Sequence, residues 1–500
     1  MKKWICLCLI LLWVPLVGAQ ADPEGHYNWY EIFVRSYQDS DGDGLGDLKG
    51  VEARLDYLED MGYDGLWLMP IMPSPSYHKY DVTDYCAVDP QYGTLDDLRG
   101  LIEAAHARGI SVIVDLPINH TAVQHPWFVE AVRALQTGEE SPYVRYYCFS
   151  EQSGGRQVPV PGTDLYYEEQ FSGGGMPDLN LDEPMVRAEI EQILAFWLRE
   201  VGVDGFRLDA VTSYYASATA KNVEFLRWVN ETCQALRPGA YLVGECWAGL
   251  SVIAQYYESG LDSFFLFPAS QAEGFLASSL RGRDKHAEKF AAACQNALEA
   301  LPSGVPAPFL CNHDTGRTLG AVRGRNNLPV AKFAEGLLQM MPGCVFTYYG
   351  EEIGMVGSGD DPNKRLAMYW ADGDMTDQPP GVSKLEYVYP SVQAQQADPA
   401  SLLAYCREAT RARKRCPAIA QGIHEFVCAE GELCLMRRTL GEESVYIALN
   451  FSADTQALCP LQGEAAVLCD LETGEDKASI TPEGLSLPPY AIVLFTQSAP

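Results

Sequence analysis

Ser111-Val-Ile-Val-Asp-Leu116 is the segment on which the fold turns. It is short, rich in β-branched residues and lacks the polar alternation of a half-exposed strand, so it reads as a parallel strand covered on both faces. A helical pattern near Asp96–Arg108, stopped by Gly109, precedes it. The same unit recurs outward in both directions. Upstream lie a strand candidate at Trp29–Val34, a helical pattern through Leu48–Met61 and a second strand at Gly65–Met69. Downstream, Pro184 opens a helix over Met185–Glu200, followed by a strand at Val203–Leu208. Helices near Asn222–Leu236, Asp284–Leu301 and Ala331–Met341 then alternate with strands at Tyr241–Gly244, Asp262–Phe267, Pro308–Cys311 and Cys344–Tyr349. This alternation predicts an α/β fold, a (β/α)8 TIM barrel, with a doubly wound sheet as the alternative.

Two stretches break the rhythm. His120 to Asn180 is rich in Gly, Pro and Tyr and too long for an ordinary connection, so it is expected to be an inserted subdomain after the third strand. Beyond a last helix near Leu402–Arg413, short alternating strands with Gly and Pro turns (EFVCAEGELCLMRR, SVYIALNFS, YAIVLF) predict a C-terminal antiparallel β-sandwich. The expected division is a signal peptide at 1–21, barrel at 22–120, inserted subdomain at 121–180, barrel again at 181–418 and sandwich at 419–500.

Asp and Glu outnumber Lys and Arg by 67 to 36, a net charge of -31, which argues against a nucleic-acid partner and against docking on anionic lipid. A neutral or cationic ligand suits such a surface better, and sugars are neutral. Met1-Lys2-Lys3, an apolar run from Trp4 to Val17 and Ala19-Gln20-Ala21 together read as a secretion signal. That run is shorter than the ~20 residues a membrane span needs. The mature chain is therefore expected to be exported, extracellular or periplasmic, to have no membrane association after cleavage, and to act as a monomer. Its cysteines are scattered without zinc spacing and read as buried small hydrophobes, although export would permit one or two bridges.

Barrel active sites form at the carboxyl ends of the strands. Here those ends carry Asp115 with Asn119 and His120, then Arg207 and Asp209, then Glu245, then His313 and Asp314. Carboxylates of different environment are what glycosidic bond cleavage requires, one to attack the anomeric carbon and one to protonate the leaving oxygen. An arginine beside the nucleophile would keep it ionised by charge pairing.

The segments DLPINH (Asp115–His120), GFRLDA (Gly205–Ala210), GEC (Gly244–Cys246) and FLCNHD (Phe309–Asp314) resemble the four signature regions of the α-amylase family of retaining glycoside hydrolases. MPDLN (Met176–Asn180) is similar to a fifth region, in the form found in the group between oligo-1,6-glucosidases and neopullulanases. The opening WYEIFVRSYQDSDGDGLGDLKG and YHKYDVTDY also resemble the family. The resemblance implies Asp209 as nucleophile, Glu245 as general acid and base, and Asp314 as the residue gripping sugar hydroxyls. It further implies that Arg207 orients Asp209, that His120 and His313 hydrogen-bond the reacting sugar, and that Tyr80 stacks on it with His78 and Asp81 beside it. Asp209 and Glu245 would then sit about 5–5.5 Å apart, as in retaining pairs. No organic cofactor is implied.

Ala210 follows the nucleophile where α-1,6-cleaving relatives carry Val, which favours α-1,4 cleavage. Thr212-Ser213 stands where many relatives have Lys-His, which removes a leaving-side sugar contact and a backbone ligand of the family's calcium between barrel and insert. Trp247 is expected to stack on the leaving-side sugar or to belong to the core.

Asp39, Asp41, Asp43 and Asp47 alternate with small residues in DSDGDGLGD. With the Leu45 carbonyl they offer the oxygen pattern of a calcium loop, although Gly50 stands where a Ca2+-binding helix–loop–helix carries its bidentate Glu. The leading expectation is an α-amylase acting on starch or maltooligosaccharides, with Ca2+ as structural cofactor. An oligo-1,6-glucosidase, α-glucosidase or glucanotransferase is the alternative within the family. A non-catalytic sugar-binding or transporter-associated relative is the alternative outside catalysis, and the retained Asp209, Glu245 and Asp314 speak against it.

Overall fold

Eight parallel strands form the central sheet of the structure, a computed structural model. It describes residues 27–497 apart from 172, 174, 217, 282–283, 302–303, 323–325, 459–464, 475 and 482–483. The expected signal peptide at 1–21 lies outside the described residues. The strands are β1 (Asn28–Ile32), β2 (Gly65–Leu68), β3 (Ser111–Leu116), β4 (Gly205–Leu208), β5 (Tyr241–Gly244), β6 (Ser263–Phe265), β7 (Val305–Ala307) and β8 (Val345–Tyr348). Their order is β7-β6-β5-β4-β3-β2-β1-β8. Cys344 N to Pro306 O (2.9 Å) and Phe346 N to Pro308 O (3.0 Å) close the sheet into a barrel.

The seventh strand starts earlier than its sequence suggests. Pro308 has no N–H to give to a ladder, so regular pairing stops at Ala307, and only Phe309 still bridges to Phe346. Two helical expectations also change in detail. The Leu48–Met61 pattern splits into Leu48–Ala53 and Leu55–Met61, and the helix opened by Pro184 passes at Phe196 into a π-helical turn ending at Val201.

Period-two alternation fills the barrel interior. Trp29, Trp67, Ile113, Tyr241, Val243, Phe265 and Phe346 form one enclosed cluster, with Trp29 stacked on Tyr241 at 4.8 Å. Two glycines make that stack possible. A Cβ on Gly65 would lie 2.4 Å from the Trp29 ring, and one on Gly205 would lie 1.8 Å from the Tyr241 carbonyl oxygen. Gly205 also has φ +156, a conformation side chains seldom take. Two residues beyond this apolar layer, the inward positions become charged: Glu31 follows Trp29, Asp115 follows Ile113, and Arg207 follows Gly205. The apolar layer is thus the floor on which the charged layer rests.

The insert after β3 carries a helix at Pro126–Thr137 and a small sheet of Phe149–Ser150, Tyr166–Glu168 and Gln157–Pro159. Leu179 N to Asn119 O (2.9 Å) and Thr121 N to Pro177 O (3.1 Å) tie its end back to the loop leaving β3. At the carboxyl end, Ala418–Gln421 is a helical turn rather than strand, and the first strand begins at Ile423. A five-stranded and a three-stranded antiparallel sheet follow, sharing a core of Leu435, Ala448, Leu485, Leu487, Val493 and Phe495. Of the twelve cysteines among the described residues, seven are buried.

Candidate active site

Arg207 is the hub of the charged layer. Its side chain is wholly buried, in register with Asp115 on β3. Nη1 reaches Asp115 Oδ1 at 2.8 Å and Asp209 Oδ1 at 2.5 Å, while Nη2 lies 3.0 Å from Glu245 Oε1. Arg207 and Asp209 face the same way because two residues separate them on an extended chain. The guanidinium packs over the rings of Trp67 and Tyr80, at 5.1 and 5.7 Å from their centroids.

Immediately after Asp209 the chain turns. Ala210 adopts φ +46, a left-handed conformation that costs a non-glycine residue about 1–3 kcal/mol. The turn points the Ala210 N–H at Glu245 Oε2, 2.8 Å away. Glu245 is thus held by a guanidinium on one oxygen and a backbone amide on the other. Burial nevertheless pushes its carboxyl up to about 8, with Arg207 opposing and Asp209 and Asp314 adding to the rise.

Asp314 is tuned the opposite way. Burial works against its ionisation, yet His313 and Arg365 outweigh it and hold the carboxyl well below the usual carboxylate range. Arg365 Nη2 contacts Oδ1 at 2.8 Å and His313 Nε2 contacts Oδ2 at 3.1 Å. Against the cost of burial, Asp314 and Glu31 raise His313 to about 9, so it stands as an imidazolium between two carboxylates. Its Nδ1 lies 2.5 Å from Glu31 Oε1.

One cavity of about 300 Å³ collects most of the expected residues: Asp209, Glu245, Asp314, His78, Tyr80, His120 and Trp247 all line it. Trp247 settles on the exposed side of its two readings. It is half exposed and stacks face to face on Phe267 at 4.6 Å, which leaves its other face free for a ligand.

Three positions differ from expectation. His313 has no exposed surface, and its ring nitrogens are taken by Glu31, Asp314 and the Tyr80 hydroxyl (2.7 Å), so it braces Asp314 and Tyr80 from behind. Asp81 lies behind the wall, where its carboxylate accepts the hydroxyls of Ser74 (2.6 Å) and Ser76. Asp47 caps the helix Leu48–Ala53 through Gly50 N (2.8 Å) and also accepts Ser40 N and Oγ, each at 2.8 Å. Carboxylate oxygens of Asp39, Asp41 and Asp43 do gather, within 4.8 Å of one another. Leu45 lies in the same loop, its N–H bonded to Asp43 Oδ1. Burial opposes ionisation of Asp39, but the N–H groups of Gly42, Gly44, Asp41 and Asp43 prevail and hold its carboxyl below the usual range.

Sequence reasoning passed over Glu31, Arg365 and Phe171, the last lining the cavity with its ring 5.4 Å from that of His120. Glu31 was legible in principle, since it shares the inward phase of Trp29. Arg365 and the cavity-lining Asp361 sit in the long connection after β8, where no periodicity marks them.

Known proteins resemble this chain over most of its length. The model of the alpha amylase catalytic domain matches residues 31–422. Alpha-amylase 3 of Dictyoglomus thermophilum is 35% identical over 436 residues, 85% of this chain and 84% of that protein. An oligo-1,6-glucosidase of Parageobacillus thermoglucosidasius is 28% identical over 520 residues, covering 85% and 90% of the two chains. Among solved structures, Eubacterium rectale Amy13B superposes with a TM-score of 0.92 at 37% identity, over 98% of this chain and all of that one. With a barrel that gathers Asp209, Glu245 and Asp314 at one cavity, and with relatives of this extent, the chain belongs to the alpha-amylase family of glycoside hydrolases.

Proposed function

We propose that the chain is an exported α-amylase that cleaves α-1,4 bonds of maltooligosaccharides and starch with retention of anomeric configuration. The observation that carries this reading is the pairing of Asp209 and Glu245 on the two ends of one buried guanidinium, both facing the same cavity. Glu245, buried and protonated at neutral pH, gives its proton to the glycosidic oxygen as Asp209 attacks the anomeric carbon. The C–O bond breaks, the shortened glucan leaves with that proton, and a glycosyl ester remains on Asp209. Glu245, now ionised, takes a proton from water, which attacks the same carbon and releases Asp209. Asp314, pinned by Arg365 and His313, accepts sugar hydroxyls while positive charge develops on the ring. Tyr80 and Trp247 supply aromatic surfaces for pyranose rings.

Ala210 after the nucleophile supports α-1,4 over α-1,6 specificity. Thr212 and Ser213 line the cavity on its leaving side, in place of a long basic and an aromatic side chain, which fits short oligosaccharides. Placement outside the cytoplasm rests on residues 1–21 alone. A structural calcium would be held by Asp39, Asp41 and Asp43 with the Leu45 carbonyl, where it would neutralise three neighbouring carboxylates.

Products from maltoheptaose and isomaltose test the reading: a ladder of shorter maltooligosaccharides from the first and no hydrolysis of the second is expected, and glucose released only from isomaltose would overturn it. Because Glu245 acts in its protonated form, kcat/KM should fall as pH rises through about 8, roughly tenfold per pH unit beyond it. In Glu245→Gln the residual rate should lose that alkaline limb. Treatment with EDTA should lower the melting temperature and re-addition of calcium restore it; identical melting with and without chelator would remove the Asp39–Asp43 site.

A further inference from the structure

A second polar cavity lies outside the barrel wall, between β8 and the helices Leu328–Gln339 and Leu402–Arg415. It has room for about one water-sized particle and is lined by Glu335, Gln339, Thr347 and Glu352, among others. These side chains are at least nine-tenths buried. Neighbouring Glu351 is already satisfied, by Arg317 Nη1 at 2.9 Å and Thr318 N at 3.1 Å. Glu352 is half satisfied: Oε1 accepts the hydroxyls of Tyr30 (2.6 Å) and Tyr57 (2.8 Å), and Oε2 has no partner among the described residues. Gln339 directs its Nε2 at Thr347 Oγ1 (3.5 Å), which leaves Oε1 equally unpartnered. For Glu335, burial is the larger cause and the carboxylates Glu351 and Glu352 add to it, pushing its carboxyl well up.

What is missing here is positive charge. The unpartnered buried atoms of its lining, Glu352 Oε2 and Gln339 Oε1, are both acceptors, and a buried acceptor left unmade is costly, more so when charged. A single water donates twice and leaves the carboxylate charge unbalanced; a proton on Glu335 satisfies one acceptor. A cation serves all of them together. The cavity has no space for the waters that magnesium retains. Burial favours a proton on Glu335, while Glu352 keeps its charge when two phenols donate to Oε1; a monovalent cation would take the place of that proton.

We propose that this cavity binds one dehydrated alkali cation, sodium or potassium, through Glu335, Gln339 Oε1 and Glu352 Oε2. The ion would brace the barrel's closing strand against the helices Leu328–Gln339 and Leu402–Arg415, through residues separate from the Asp39–Asp43 loop. The test is thermal unfolding of the intact chain at constant calcium and constant chloride, in choline, sodium or potassium chloride. A melting temperature that rises by a few degrees and saturates in sodium or potassium, relative to choline, is expected, and the more effective ion identifies the occupant. Glu335→Gln keeps the shape and removes the charge, so its melting temperature should be the same in all three salts. Equal melting of the unaltered protein in choline and alkali chlorides overturns the proposal, as does an undiminished alkali response in Glu335→Gln.

Discussion

A single buried guanidinium organises the catalytic face of this protein. Arg207 has no exposed surface, yet it touches Asp115, Asp209 and Glu245, side chains from three successive barrel strands and the residues just beyond them. Burying a charge is unfavourable unless it is matched by partners of good geometry. Matching demands that the three strands hold a fixed register and that the layer below be rigid. The aromatic stack of Trp29, Tyr241 and Phe346 supplies that floor. Site and fold are therefore one problem, since the same alternation that packs the interior carries the charged residues to its rim.

Around that hub, two carboxylates are driven apart in behaviour by their surroundings. Glu245 gains little net help from its neighbours and is dominated by burial, which keeps a proton on it. Asp314 is more open to the cavity and has Arg365 and an imidazolium against it, so it stays charged. The proposed roles follow from this difference, one as acid and the other as an anionic grip. The imidazolium itself depends on Asp314 and Glu31, so a residue outside the cavity helps to fix the charge that braces one lining it.

Much of this was legible in the sequence, for physical reasons. SVIVDL could not pass for an exposed strand, and the recurrence of its type with intervening amphipathic segments left few architectures open. Strand-end residues were readable because the chain is straight there and spacing translates into direction. Legibility failed where geometry is set by tertiary contact. Proline moved the seventh strand by removing a donor at Pro308. Asp47 was recruited as a helix cap, a competing use for an acidic side chain that its spacing does not reveal. His313 turned inward because Glu31, hundreds of residues earlier, offered it a buried partner. Arg365 stands on an aperiodic connection, and only the folded chain brings it to Asp314.

The central claim is that Asp209 and Glu245 act on one anomeric centre in two successive displacements. The most direct measurement is proton NMR of the anomer first released from maltoheptaose, recorded before mutarotation. The account predicts the α-anomer, the configuration of the bond cleaved. Initial release of the β-anomer would mean a single displacement by water and would contradict the assignment of Asp209 as nucleophile.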